Sequence, residues 1–219
     1  MMESFDEISL LSGMFPAGVV ASVLGVEDFS LDTLMPEEMA LVARASPRRR
    51  REFAAGRFCA RTLLAQLGAA PSAILVGPHR APLWPSGFTG SISHASGLCV
   101  AAIAKTCDVR SVGIDLEPDE PLDGELASAL CTPEERRWLA KSADPERWLH
   151  VLFSIKEAVY KCQFPLTHEL LDFKDVQLDI DASGTFCATA YPAYAATVGR
   201  IRGRWRKVAG WLVCAATIV

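Results

Sequence analysis

Between Val112 and Glu117 the chain reads Val-Gly-Ile-Asp-Leu-Glu, an apolar and β-branched run that predicts a strand and yet carries two carboxylates. Side chains two residues apart along a strand project from one face, so Asp115 and Glu117 point together. Like charges held that close repel, and a cation, a proton or solvent has to relieve the cost. An Asp-x-Glu at the solvated end of a strand is the plainer alternative. Against it stands a third acid, Glu157, in Phe153-Ser154-Ile155-Lys156-Glu157-Ala158, with Lys156 and Lys161 close by on a predicted helix. Hard divalent cations favour such oxygen ligands, and Mg²⁺ commonly takes one or two carboxylates and completes its octahedron with water and phosphate oxygens. Asp115, Glu117 and Glu157 are therefore the candidate metal ligands.

Helix signals frame these segments. Pro36-Glu37-Glu38 opens a short helix running toward Arg44, and Ser46-Pro47 supplies an N-cap and a first-turn proline for a long helix to Leu67, which Gly68 ends. Phe53, Ala60, Leu63, Leu64 and Leu67 recur at helical spacing and predict the core face, leaving Arg49, Arg50, Arg57 and Arg61 for other faces. From Gly77 to Ser96 the chain is rich in Gly, Pro and Ser, which predicts an ordered, ligand-bearing loop leading into a strand at Leu98 to Ala104. Thr132-Pro133-Glu134-Glu135 is a capping box, and Asp144-Pro145 starts a second long helix past Lys161 to the region of Pro165. The tail predicts strands at Val176 to Asp181, Thr185 to Ala190, Arg202 to Val208 and Trp211 to Val219. Gly97-Leu98-Cys99-Val100-Ala101-Ala102 echoes Gly210-Trp211-Leu212-Val213-Cys214-Ala215, as two related α+β halves would.

With 219 residues, 50% of them apolar, the chain can bury a substantial core. A net charge of -4 offers no global attraction to nucleic acid or membrane, so an anion site has to come from the basic cluster between Arg44 and Arg61. The seven scattered cysteines, without a Cys-x-x-Cys spacing, read as reduced core residues of a cytoplasmic protein. Glu3, Asp6 and Glu7 argue against a signal peptide, and no apolar run is long enough to span a bilayer.

Three segments combine: Arg49-Arg50-Arg51-Glu52-Phe53-Ala54-Ala55-Gly56-Arg57, then Gly90-Ser91-Ile92-Ser93-His94, then the Gly113-Ile114-Asp115-Leu116-Glu117 and Phe153-Ser154-Ile155-Lys156-Glu157-Ala158-Val159-Tyr160-Lys161 pair. In that order and spacing the chain resembles the 4′-phosphopantetheinyl transferases of the surfactin and enterobactin synthetase type. The resemblance implies transfer of the phosphopantetheine arm of coenzyme A to a serine of an apo acyl, peptidyl or aryl carrier protein, with release of 3′,5′-ADP. It implies CoA phosphate contacts from Arg49, Arg57, Ser93 and His94, and from His79 and Arg80 near the adenine and 3′-phosphate. Guanidinium groups suit such anions through charge-assisted, bidentate hydrogen bonds. Mg²⁺ would sit at Asp115, Glu117 and Glu157 against the pyrophosphate, with Glu157 as general base toward the carrier serine.

Lys161, one turn after Glu157, shares its face and would neutralise phosphate or protonate the leaving group. Lys156, about 100° around the helix from Glu157, is a further phosphate contact. Arg50, Arg51 and Arg61 read as solvated or internally paired, and Trp84, Trp138, Trp148, Phe153 and Phe164 as core. A Mg²⁺-dependent hydrolase of nucleoside diphosphate derivatives and a CoA-binding regulatory protein are the rival classes. The expected fold, by the same resemblance, is α+β. It has two pseudosymmetric halves, 1–107 and 108–219, each a small antiparallel sheet with a long helix, around a CoA cleft, in a chain that works as a monomer.

Overall fold

Ser96-Gly97 and Ala209-Gly210, the residues that lead the two echoing segments, share one backbone device. Both residues of each pair are left-handed, with φ of 42° and 86° in the first pair and 50° and 79° in the second. This is the two-residue hairpin turn whose twist matches its strands, and glycine in its second place avoids the Cβ penalty. The turns join β4 (Phe88–Ala95) to β5 (Leu98–Lys105) and β9 (Arg202–Val208) to β10 (Trp211–Ile218). The echo therefore marks the same hairpin corner in both halves of an α+β fold.

The computed structural model describes residues 10–27, 29–190 and 194–219; the acidic start at Glu3, Asp6 and Glu7 lies outside them. β1 (Val19–Gly25), β5 and β4 form an antiparallel sheet in the order β1-β5-β4. β6 (Ser111–Pro118), β7 (Val176–Asp181), β8 (Thr185–Ala190), β9 and β10 form a second, in the order β6-β10-β9-β8-β7. β2 (Leu75–Val76) and β3 (Pro82–Leu83) make a small ribbon. The helices are α1 (Pro36–Val42), α2 (Pro47–Gln66), α3 (Ala127–Leu130), α4 (Pro133–Leu139), α5 (Pro145–Thr167) and α6 (Ala195–Val198).

Each sheet carries one long helix. Cys59, Ala60, Leu63 and Leu64 of α2 pack on Ala101 and Ile103 of β5. Leu149, Leu152, Ile155 and Val159 of α5 pack on Leu212, Cys214 and Ala216 of β10, and each such fully buried Leu or Ile stabilises by about 1.5–3 kcal/mol. The other face of β5, Val100, Ala102 and Ala104, meets Ile114 and Leu116 of β6 and Val213 and Ala215 of β10. β5 is buried on both faces, which is why its sequence is an unbroken apolar run rather than an alternating one.

Three local expectations need correction. Residues 88–95 are a strand, not a loop. The small residues there serve the packing, since a side chain at Gly90 would strike Ile103 and the Ala102 carbonyl, and Ser91 and Ser93 are buried. Pro165 lies inside α5 rather than ending it. A proline in the last turn forgoes one hydrogen bond, and the stop comes at left-handed His168, whose N–H donates to the Phe164 carbonyl at 2.9 Å. Trp138 is 41% exposed, resting edge-on against Trp148 rather than in the core.

β6 approaches α5 closely enough that a Cβ at Gly113 would lie 1.9 Å from the Ala158 carbonyl oxygen and 2.8 Å from the Cys162 nitrogen. Backbone on both sides leaves no flexible atom to yield. Gly113→Ala should therefore cost at least the ~1–3 kcal/mol typical of overpacking, read as a lower denaturant midpoint with an unchanged slope.

Candidate active site

The site forms where β4 runs beside β6. Alternation along β4 sends Ser91 and Ser93 to one face and His94 to the other. The Ile114 N–H of β6 donates to Ser91 Oγ at 3.1 Å, and Ser93 Oγ donates to Asp115 Oδ1 at 3.0 Å. Asp115 is 2% exposed, and α5 completes its shell: Ser154 Oγ donates to Oδ2 at 2.7 Å and Lys161 Nζ to Oδ1 at 2.7 Å. Lys161 Nζ also donates to Ser93 Oγ at 3.0 Å.

Behind His94, the N-cap Ser46 accepts the Arg49 N–H at 3.3 Å and so fixes the first turn of α2. Arg49 Nη1 donates to His94 Nε2, which makes the imidazole the acceptor and leaves its proton on Nδ1. Burial and the Arg49 charge hold His94 below its ordinary value, in keeping with a neutral ring. Glu52 lies 3.5 Å from Arg49 Nη1 and 4.0 Å from His94 Nε2. Although burial opposes its charge, hydrogen bonds from Arg48 and Arg49 and the Arg48 charge keep that carboxylate below its usual value.

A cleft of about 690 Å³ brings Arg49, Arg80, Ser93 and His94 together with Asp115, Glu117, Glu157 and Lys161. Desolvation, then the neighbouring Asp115, pushes Glu117 up to about 7, and desolvation, then Asp115, raises Glu157, with Lys161 opposing both. A contiguous hollow of about 270 Å³ is lined by Arg49, Arg57, Arg80 and His94 with Phe53 and Ile92. Basic groups thus line one side, and half-buried acids the other.

Two predicted residues sit differently from expectation. Lys156 is 3% exposed and paired with Glu135 at 2.6 Å, donating also to the Leu130 and Phe173 carbonyls at 2.9 and 2.8 Å, so its ammonium is committed to the core and cannot meet a phosphate in the cleft. Arg57 is 5% exposed, not on an outer face; its Nε donates to the Ile74 carbonyl at 2.8 Å and its guanidinium lies 4.3 Å from the Phe53 ring centre. Burial pulls it down to about 10. Arg61 pairs with Glu38 and Arg50 donates to the Ala45 carbonyl, as internally engaged arginines should. His79 packs edge-on against Phe164, while Arg80 reaches the cleft; both have positive φ, 51° and 66°. Phe153 packs half-buried against the core, as expected, and also lines the cleft.

Sequence reading did not single out Ser154 or Glu52 as site residues. Ser154 stands three residues before Glu157, one helical turn away, and that spacing was the available signal. Among the described residues no three His, Cys, Asp or Glu side chains are gathered as a metal cluster; Asp115 is paired with Lys161 at 2.7 Å.

Residues 37–104 match the 4′-phosphopantetheinyl transferase N-terminal domain, and residues 111–208 match the 4′-phosphopantetheinyl transferase superfamily. The chain is 38% identical to the 4′-phosphopantetheinyl transferase Svp of Streptomyces mobaraensis, covering 95% of this chain and 89% of that protein. It is 34% identical to the 4′-phosphopantetheinyl transferase PptT of Mycobacterium tuberculosis, covering 96% and 98%. It is 31% identical to enterobactin synthase component D of Salmonella typhi, covering 69% and 67%.

Two outcomes follow from the geometry. A carboxyl whose pKa is raised by folding stabilises below its unfolded value and loses that contribution as pH rises through its folded value. Glu117→Gln should therefore melt higher than the parent at about pH 8 in EDTA and lose the advantage toward about pH 5; equal melting at both would mean a solvated Glu117. Lys156→Met, by leaving Glu135 buried without its cation, should cost roughly 3–5 kcal/mol in urea unfolding.

Proposed function

The chain belongs to the 4′-phosphopantetheinyl transferase family, and we propose that it transfers the phosphopantetheine moiety of coenzyme A to a serine of an apo acyl, peptidyl or aryl carrier protein, releasing 3′,5′-ADP. The observation that carries this reading is the single cleft that joins Arg49, Arg80 and His94 to Asp115, Glu117, Glu157 and Lys161. CoA has the charge distribution to fill it. Its phosphates match the two arginines and the Arg49-held His94, and the hollow between Phe53 and Ile92 suits the adenine side of the molecule.

Mg²⁺ is assigned to Asp115, Glu117 and Glu157. The donor set fits: all are carboxylate oxygens, and burial first, with the Asp115 charge second, raises Glu117 and Glu157, so a cation there would offset a desolvated charge. When bound, the metal supplies neutralisation of pyrophosphate charge. The protein's own groups do the rest. Arg49 and His94 hold the nucleotide side, so the pyrophosphate is aligned before the carrier arrives. Burial raises Glu157 toward the working pH, which makes it a better acceptor for the carrier serine proton, directly or through a water. The serine oxygen forms its bond to the phosphorus bearing the pantetheine arm as the bond to the bridging oxygen of 3′,5′-ADP breaks. Lys161 then offers its ammonium to the departing phosphate. Arg57, braced by the Ile74 carbonyl and Phe53, supports the nucleotide hollow from within.

We take the halves to divide near Cys107 and Asp108, the protein to act as a monomer, and the compartment to be cytoplasmic, where buried thiols such as Cys99, Cys131 and Cys214 stay reduced. No helix of the described residues is long and apolar enough to cross a membrane.

Incubation with CoA, Mg²⁺ and a panel of apo carrier proteins should add one phosphopantetheine to a carrier by intact mass, and EDTA should prevent it. Glu157→Gln should lower turnover by roughly 10²–10⁴-fold. Arg49→Ala should weaken CoA binding by about tenfold or more, as loss of a charge-assisted contact does. CoA binding without transfer to any carrier would overturn the assignment.

A further inference from the structure

Lys161 is the cation that acts on the three acids of the cleft's acidic side, Asp115, Glu117 and Glu157. Its ammonium is 2.7 Å from Asp115 Oδ1 and 3.0 Å from Ser93 Oγ, and its charge acts on Glu117, Glu157 and His94 alike. The side chain is 26% exposed and so reaches the open cleft, whereas Asp115 is held from behind by Ser154 and from the side by Ser93. One carboxylate oxygen cannot hold an ammonium and a divalent cation in contact at once, since two positive charges within ~4 Å repel by several kcal/mol in a partly buried site.

We propose that Lys161 is a resident counter-ion that occupies the Asp115 carboxylate until an anion enters beside His94, then transfers to that anion and vacates Asp115 for the metal. Lys161 thereby links the two ligands: the nucleotide opens the metal site, and by reciprocity the metal tightens the nucleotide. This order also spares the empty enzyme an uncompensated carboxylate at a nearly dry position. The inference rests on the metal reading of Asp115.

The test is Mn²⁺ binding to the whole protein, followed by the electron paramagnetic resonance of free Mn²⁺, with and without CoA and corrected for Mn²⁺ that CoA binds in solution. Without CoA, Lys161→Met should bind Mn²⁺ about tenfold or more tightly than the parent, while Lys161→Arg, which keeps a cation at Asp115, should not. In the parent, CoA should tighten Mn²⁺ by a factor that shrinks in Lys161→Met by the amount the variant gained without CoA. A charge that acts only through space and stays in place would leave the CoA factor the same in parent and variant, and that result overturns the exchange. Unchanged or weaker Mn²⁺ binding by a folded Lys161→Met overturns it too. Asp115→Ala separates the two levels: if it binds Mn²⁺ as well as the parent, or if the parent binds none, the metal reading fails and the exchange with it.

Discussion

A buried carboxylate with donors from three directions holds this molecule together at its seam. Asp115 receives Ser93 from β4, and Ser154 and Lys161 from α5, while its own strand is fixed to β4 by the Ile114 N–H on Ser91. An isolated carboxylate at 2% exposure would cost several kcal/mol, and each donor removes part of that cost. The two sheets are therefore joined at β4 and β6 by hydroxyl and carboxylate side chains rather than by a continuous backbone ladder. The seam is also the floor of the cleft. Fold and site share the same few atoms, which is why the acid side can be rigid and half-dry.

The two sides of the cleft handle charge in opposite ways. On the basic side the repulsion between Arg49 and a protonated ring is avoided by keeping His94 neutral, with Glu52 supplying counter-charge. On the acidic side burial pushes Glu117 up to about 7 and raises Glu157, with one partly exposed ammonium, Lys161, among three carboxylates. A bound anion would meet the arginines of the basic side, and a cation the carboxylates of the acidic one. The mutual compensation of the two ligands is thus written into the unliganded charge distribution.

Elsewhere the interior is tuned by contact distance. Gly113 lets β6 lie against the α5 backbone, which brings Ser154 within reach of Asp115. The buried Lys156–Glu135 pair ties α5 to α4, and Glu135 Oε1 also accepts the Leu178 N–H at 2.9 Å, so the outer strand β7 is positioned by the same carboxylate. Two lysines five residues apart on one helix thus end in opposite surroundings: Lys156 in the core, Lys161 in the cleft.

The local code was legible where one residue type has one physical use. Helix starts at Ser46-Pro47, Thr132-Pro133 and Asp144-Pro145, the corner at Ala209-Gly210 between the last two strands, and the common face of Asp115 and Glu117 all follow from backbone periodicity and capping chemistry. Residues with two uses were not decided by sequence. Gly and Ser at 88–95 are as good in a loop as in a tightly packed strand, and only the approach of β5 and β6 selects the strand. Lys156 and Arg57 carry the same charges as Lys161 and Arg49, but which ammonium or guanidinium meets water depends on what packs over it, here Glu135 and Phe53. The sequence by itself determined the two long helices, the C-terminal strands, the charged inventory and the common face of Asp115 and Glu117. The tertiary structure alone decided which charges are spent inside and which face the cleft, because desolvation and pairing depend on neighbours distant along the chain.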